Sequence, residues 1–226
     1  MNTGAALLQK NFLDVSSLEK TFRQMRESEW KPTWADGPYA DQMWRVVKLI
    51  EKSEQTDHFA RFPELKEIVD RFRCPIRHMM FYSLLPGGVL HPHRDMSGAV
   101  GLGGLRFHIP IITNNGVDFR VSGERVVMLP GDLWALDTSY LHAVANRGAE
   151  DRVHLVIEVE VNDWVRNQIP PLDHRYYLHQ ANLVLVAAQK AARVMIFQPK
   201  LIGANLQVAR NVAKRLGEKV RRRVGI

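Results

Sequence analysis

One cysteine, Cys74, stands in 226 residues. An internal disulfide framework is therefore excluded, and the chain fits a reducing compartment. There is no long hydrophobic run. The apolar stretch near the start, Ala5 to Leu8, is shorter than the core of a secretory signal, and no segment is long enough to cross a bilayer. Internal repeats and low-complexity tracts are also missing. A soluble cytoplasmic protein of one domain, with room for an accessory segment, is the expectation. Acidic residues are scarce in one place: from residue 190 onward Glu218 faces ten lysines and arginines. That segment carries +9, so the net +7 of the chain leaves residues 1–189 at −2. The basic character belongs to the tail and says nothing about the rest.

What is present is a β-rich middle. A first helix is predicted over residues 16–28, capped by Ser16 or Ser17, and a second over 63–73 with Pro63 in its first turn. Residues 30–60, with Trp30, Trp34 and Trp44, read as packed loops and short strands. From Ile76 the texture is β. Strands are predicted over Ile76–Leu85, Leu105–Thr113, Val117–Val121, Arg125–Leu129, Leu133–Leu136 and Arg152–Val161, with a hairpin at Ser122-Gly123 and a turn at Asn114-Asn115-Gly116. Leu105, Phe107, Ile109 and Ile111 share one face, with Arg106 and His108 on the other. In the last strand Val153, Leu155, Ile157 and Val159 oppose Arg152, His154, Glu158 and Glu160. Short strands at regular spacing suggest a sandwich or jelly roll. The pattern breaks at Pro170-Pro171, and helix returns. The division read here is 1–170 for the β-domain with its N-terminal helices and 171–226 for a basic helical segment.

The run His91-Pro92-His93-Arg94-Asp95 follows the first of these strands, and His142 lies between two later ones. Residues i and i+2 of an extended segment point the same way, so His93 and Asp95 can share one metal ion, with His142 supplied by a neighbouring strand. Two imidazoles and a carboxylate on one face of an octahedron leave three positions open, the arrangement of non-haem iron(II) oxygenases. Alone, a His-x-Asp is common by chance, His91 is readily a loop histidine, and His142 a structural one.

The neighbourhood weighs against chance. Ser83-Leu84-Leu85-Pro86-Gly87-Gly88, Pro92-His93-Arg94-Asp95, Leu105-Arg106-Phe107-His108-Ile109-Pro110, Gly131-Asp132-Leu133-Trp134-Ala135-Leu136-Asp137, His142-Ala143-Val144-Ala145-Asn146 and Asp151-Arg152-Val153-His154-Leu155-Val156 occur in that order. Together they resemble the aspartyl/asparaginyl β-hydroxylase family of iron(II)- and 2-oxoglutarate-dependent dioxygenases. The resemblance implies a double-stranded β-helix core, Fe(II) as cofactor, and 2-oxoglutarate and O2 as cosubstrates. It carries the metal over to His93 and His142, with Asp95 as third ligand. It makes Arg152 the partner of the distal carboxylate of 2-oxoglutarate, a task suited to a bidentate guanidinium. It places His108 and Ser83 around the cosubstrate carboxylates and Arg106 on a substrate carboxylate. Plain alternatives stand beside two of these: Arg152 as a surface arginine paired with Asp151 or Glu150, and Arg106 as a partner for Glu158 or Glu160. Animal members bind iron with two histidines only. Asp95 points instead to the bacterial branch typified by the cis-proline hydroxylases, and away from hydroxylation of EGF-like domains.

The activity expected is hydroxylation of an unactivated C–H in a small carboxylate-bearing substrate such as an amino acid. The alternatives are hydroxylation of a lipid or lipopolysaccharide precursor and, from another class, a non-catalytic cupin-like metal or sugar binder. The second of these has no use for a dicarboxylate anchor. Residues 183–197 and 204–220 read as amphipathic helices with basic positions, either a cap on the β-core or a surface for anionic membrane, which would place the protein at the inner face of the membrane. Aromatic residues are not interleaved there, so nucleic acid is not an expected partner.

Overall fold

The computed structural model describes residues 3–25, 27–32 and 43–197. The basic segment 204–220 and Trp34 lie outside them. The chain divides into two compact units, Met1–Pro171 and Leu172–Ile226.

The first unit contains twelve strands among its described residues: β1 (Ala5–Gln9), β2 (Lys31–Pro32), β3 (Trp44–Glu51), β4 (Glu54–Gln55), β5 (Ile76–Leu84), β6 (Val89–His93), β7 (Gly104–Ile112), β8 (Val117–Val121), β9 (Glu124–Arg125), β10 (Leu133–Leu136), β11 (His142–Asn146) and β12 (Arg152–Glu160). Helices α1 (Ser16–Arg23), α2 (Glu64–Arg71) and α3 (Asp163–Gln168) accompany them. The strands form two antiparallel sheets. The larger runs β1-β10-β7-β12-β5-β3-β2, with β4 beside β3, and the smaller runs β6-β11-β8-β9. From β5 to β12 the chain passes back and forth between the sheets, with the β8–β9 hairpin counted as one step. This is the jelly roll suggested by the strand spacing and the double-stranded β-helix implied by the resemblance.

The larger sheet buries both faces. On its outer face Phe81 meets Phe62 and Phe22, with ring centroids 4.9 Å and 6.2 Å away, and Phe107 meets Phe72 at 5.1 Å. Phe62, Phe81 and Phe107 are fully buried, each worth about 2–3 kcal/mol of apolar transfer. Helices α1 and α2 supply Leu18, Phe22, Leu65 and Ile68 to this layer. The inner face looks toward the smaller sheet. That is why eight of the nine residues of β12, polar ones included, are buried.

Several local details differ from the sequence reading. Helix α1 begins at Ser16, and the Asp14 carboxylate accepts from the Ser16 N–H at 3.0 Å and its hydroxyl at 2.7 Å, so neither serine is the cap. It stops at Arg23, and Glu27–Glu29 is a separate 3-10 turn. Strand β3, within the segment read as packed loops and short strands, is eight residues long and mostly buried on both faces, so its sequence shows no alternation. The hairpin turns at Ser122 (φ 55°) and Gly123 (φ 85°), both left-handed as a two-residue turn between twisted strands requires. Its second strand ends at Arg125, leaving Val127 and Leu129 exposed. His142 opens β11 and does not lie between strands.

The second unit shows one helix, α4 (His174–Phe197). The Asp173 carboxylate caps it, accepting from the N–H groups of Arg175 at 2.8 Å and Tyr176 at 3.3 Å. Leu178, Val184, Leu185 and Val186 on it are exposed. No helix among the described residues is long and apolar enough to cross a membrane.

Candidate metal centre

Strands β6 and β11 are antiparallel neighbours, and His93 and His142 are register partners across them. Their rings therefore stand side by side, with centroids 4.2 Å apart. Asp95, two residues beyond His93, is still extended (φ −112°, ψ 117°) before the chain turns at Met96–Gly98. Its backbone is clamped: the Asp95 N–H donates to the Thr138 carbonyl at 2.8 Å, and the Thr138 hydroxyl donates to the Asp95 carbonyl at 2.8 Å. The loop carrying Thr138 is held in turn by the buried Asp137 carboxylate, which accepts from the backbone N–H groups of Val100 and Ser139. One ligand atom from each of His93, Asp95 and His142 lies within 4.8 Å of the other two.

Both imidazoles are set in the tautomer that a metal needs. His93 Nδ1 is 2.8 Å from the His91 carbonyl, and His142 Nδ1 is 2.9 Å from the Tyr140 carbonyl. A carbonyl only accepts, so each Nδ1 carries a proton and Nε2 is the nitrogen left to bind a metal. Burial, followed by the neighbouring His93, pushes His142 down to about 4, so it is neutral near pH 7. Burial works to raise the Asp95 carboxyl, but the charge and hydrogen bond of Arg106, together with His93 and His142, hold it below the usual range. Two imidazoles held through Nδ1 and one carboxylate kept ionised are a donor set for a divalent first-row metal with open positions.

Arg106, which the resemblance places on a substrate carboxylate, meets the chain's own groups in this structure. Its Nη1 donates to Asp95 Oδ2 at 2.6 Å, its Nε to Glu158 Oε2 at 3.1 Å and its Nη2 to Ser97 Oγ at 3.1 Å. The guanidinium is engaged with the chain's own carboxylates, and Glu158 is the partner; Glu160 ends β12 exposed.

Alternation and register put a second group on the same inner face. Glu158 pairs with Arg106 and Val156 with His108, so Arg152, His154 and Glu158 of β12 share a face with Arg106 and His108 of β7. Arg152 is 2% exposed. It donates through Nη2 to His154 Nδ1 at 3.1 Å and lies 5.5 Å over the Phe119 ring of the smaller sheet. No carboxylate among the described residues pairs with it, and its Nε is buried without a partner. Asp151 is taken by Arg45 at 2.8 Å, so Arg152 is not a surface arginine. Burial pushes its guanidinium down to about 9. Both ring nitrogens of His108 and the indole nitrogen of Trp134, its register partner on β10, are also buried without partners. Burial and the charges of Arg152 and Arg106 hold His108 far below its ordinary value, hence neutral. A buried cation without a carboxylate partner, in an interior that also holds unsatisfied nitrogens, fits a dicarboxylate.

Ser83 does not join this group. Its register partners are Val153 and Arg45, which places it on the outer face of the sheet, and its hydroxyl donates to Asp151 Oδ2 at 3.2 Å. The resemblance fixes its position along β5, but the pleat turns it away from Arg152. Conversely, the sequence reading gave His154 and Thr138 no part in the site, and named Glu158 only as an alternative partner of Arg106. His154 was findable, being two residues from Arg152 on one strand; Thr138 meets Asp95 only at the Asp95 backbone, through its own carbonyl and hydroxyl, and left no signal.

The sequence model of the aspartyl/asparaginyl beta-hydroxylase family matches residues 11–161. L-proline cis-3-hydroxylase 2 of a Streptomyces species is 26% identical over 150 residues, which are 64% of this chain and 51% of that protein. The chain thus spans about half the length of this curated relative. Among solved structures, a Pseudomonas putida prolyl-4-hydroxylase superposes with a TM-score of 0.48 at 15% identity, over 70% of this chain and 93% of that one. HygX of Streptomyces hygroscopicus, solved with nickel and 2-oxoglutarate bound, gives 0.47 at 12% identity, over 72% and 84%.

Proposed function

The chain belongs to the aspartyl/asparaginyl beta-hydroxylase family, and from that premise we propose that it is an Fe(II)- and 2-oxoglutarate-dependent dioxygenase hydroxylating an unactivated C–H of a small, amino-acid-like substrate. The relative that acts on L-proline supports that substrate class, and Asp95 supports the three-ligand branch. The observation that carries the reading is the pairing of two sites inside one jelly roll: a His-Asp-His cluster and a buried arginine without a carboxylate partner.

The roles divide as follows. His93, Asp95 and His142 hold the iron. When bound, iron supplies the reductive activation of O2 coupled to decarboxylation of 2-oxoglutarate to succinate and carbon dioxide, with the second oxygen atom going to the substrate. Arg152 binds the distal carboxylate of 2-oxoglutarate, and His108, kept neutral, donates to the cosubstrate. The carbonyls of His91 and Tyr140 keep both Nδ1 protons in place, so neither histidine turns its N–H to the metal. Arg106 orients Asp95. The inner faces of the two sheets exclude water from the reaction. Residues 1–170 form the oxygenase domain and 171–226 an accessory segment. We place the protein in the cytoplasm, where Cys74 stays reduced; the lipid-precursor reading rested on the basic helices read over 183–197 and 204–220, of which the second lies outside the described residues.

Succinate release with iron(II), 2-oxoglutarate and O2 across a panel of free amino acids, short peptides and lipid precursors tests this. Turnover is expected with an amino acid or a close analogue, and His93→Ala abolishes it. Full turnover in His93→Ala, or no iron-dependent decarboxylation in the wild type with any of the panel, overturns the proposal.

A further inference from the structure

His154 has no part in the scheme above. It is 2% exposed, on the inner face, and its Nδ1 lies 3.1 Å from Arg152 Nη2. An arginine only donates, so Nδ1 of His154 is the acceptor and carries no proton; the ring is neutral, with its hydrogen on Nε2. Arg152 has two further neighbours in the interior, the Phe119 ring and, through His154, the His108 ring 5.8 Å beyond. None of the three is charged in these tautomers.

We propose that His154 is the positioning residue of the cosubstrate anchor: it fixes the guanidinium of Arg152 while leaving its charge uncancelled for the distal carboxylate of a 2-oxo dicarboxylic acid. The inference rests on the reading of Arg152 given above. Its physical content is a choice of acceptor. A buried arginine must be oriented, because its side chain has several rotatable bonds and its fork is useful in one plane only. A carboxylate in the place of His154 would orient it too, but it would neutralise the cation and compete with the incoming carboxylate. An apolar residue would leave a second guanidinium nitrogen unsatisfied. A neutral imidazole held as an acceptor does the first task without the second.

The test is 2-oxoglutarate binding to the full chain loaded with iron(II), anaerobically, by calorimetry, with pyruvate as the comparison ligand lacking the distal carboxylate. His154→Leu is expected to weaken 2-oxoglutarate binding by roughly tenfold to a hundredfold, the loss of one hydrogen bond to a charged group. Its pyruvate affinity stays at the wild-type value. His154→Gln, which keeps an acceptor, restores most of the affinity, whereas His154→Asp weakens it at least as much as leucine does. A role in folding alone would lower both ligands equally and would not be rescued by glutamine. Equal 2-oxoglutarate affinity in His154→Leu and wild type overturns the proposal, as does wild-type affinity in His154→Asp. Arg152→Met separates the two layers. If it too leaves 2-oxoglutarate binding unchanged, the reading of Arg152 falls and takes this inference with it; if only the His154 variants are silent, the inference falls alone.

Discussion

The Arg106 guanidinium stands 2.6 Å from Asp95 and reaches Glu158 at 3.1 Å with another of its nitrogens, so one cation ties a metal-ligand candidate to a carboxylate buried in β12. Glu158 has a side-chain exposure of 7% and depends on Arg106 and on the Ser97 hydroxyl, 3.3 Å away. Arg106→Met would leave that charge buried and face it toward Asp95. The expected loss is about 2–3 kcal/mol, below the value for a fully buried pair because Asp95 is partly exposed. Arg106→Met combined with Glu158→Gln should recover most of it, since the two groups couple. Urea denaturation of the metal-free chain decides; an unchanged midpoint in the single variant would show that the pair contributes nothing.

Gly98 sits where Asp95 is fastened. A Cβ there would lie 2.4 Å from the Thr138 hydroxyl and 3.2 Å from Cγ of Arg106. Those are the groups that hold the Asp95 carbonyl and the Asp95 carboxylate. Gly98→Ala must move one or both, at about 1–3 kcal/mol for overpacking. The displaced Asp95 should cost roughly tenfold in metal affinity. Thr138→Val removes the hydroxyl without crowding and should keep more of the affinity. Cobalt(II) titration followed by absorbance reads both variants; equal affinity in Gly98→Ala and wild type contradicts the account.

How much of this was legible beforehand varies with the residue. The jelly roll followed from strand spacing, and Leu105–Ile111 showed its two faces because one meets hydrophobic helices and the other a polar interior. Strand β3 was hidden because burial on both faces removes the alternation that marks a strand. Strands β6 and β11 were hidden by Pro92 and by their five-residue length. For the site, spacing alone brought His93 and Asp95 together. The face on which Ser83 lies and the atoms that Arg106 touches are properties of sheet register, set by pairings such as Ser83 with Val153 and Arg106 with Glu158 that are distant in sequence. Position along a strand could be carried over from a resemblance; orientation could not.

Cys74, just before β5, yields a pH prediction. Burial pushes its thiol up to about 11. A raised thiol value means that the folded chain keeps the protonated form, and the reactive thiolate appears only as pH approaches that value. Alkylation of the native protein by iodoacetamide should therefore keep accelerating from pH 8 through pH 10. An exposed thiol of pKa about 8.5 would level off above pH 9. A plateau at pH 9 in the native state would place Cys74 in solvent.

Asp95 has two partners to serve, and its amide variant separates them. Oδ2 is bonded to Arg106 and lies 3.8 Å from His93 Nε2, so with Arg106 in place a metal ion would be left the other oxygen. In Asp95→Asn the side chain has one oxygen and one NH2 group. The NH2 can face neither the guanidinium nor a metal, so the oxygen can satisfy only one of them. Stability should change little, because Arg106 keeps Glu158 and Ser97. Metal affinity should fall by more than the roughly 10–100-fold typical of losing a supporting group. Once Arg106 is also removed, the asparagine oxygen is free to turn to the metal, so the penalty of Asp95→Asn in an Arg106→Met background should be smaller than in the wild type. Competition against a chelating dye measures all four proteins of this cycle. Equal penalties in the two backgrounds would mean that Arg106 does not act through Asp95, and no penalty in either would remove Asp95 from the metal site.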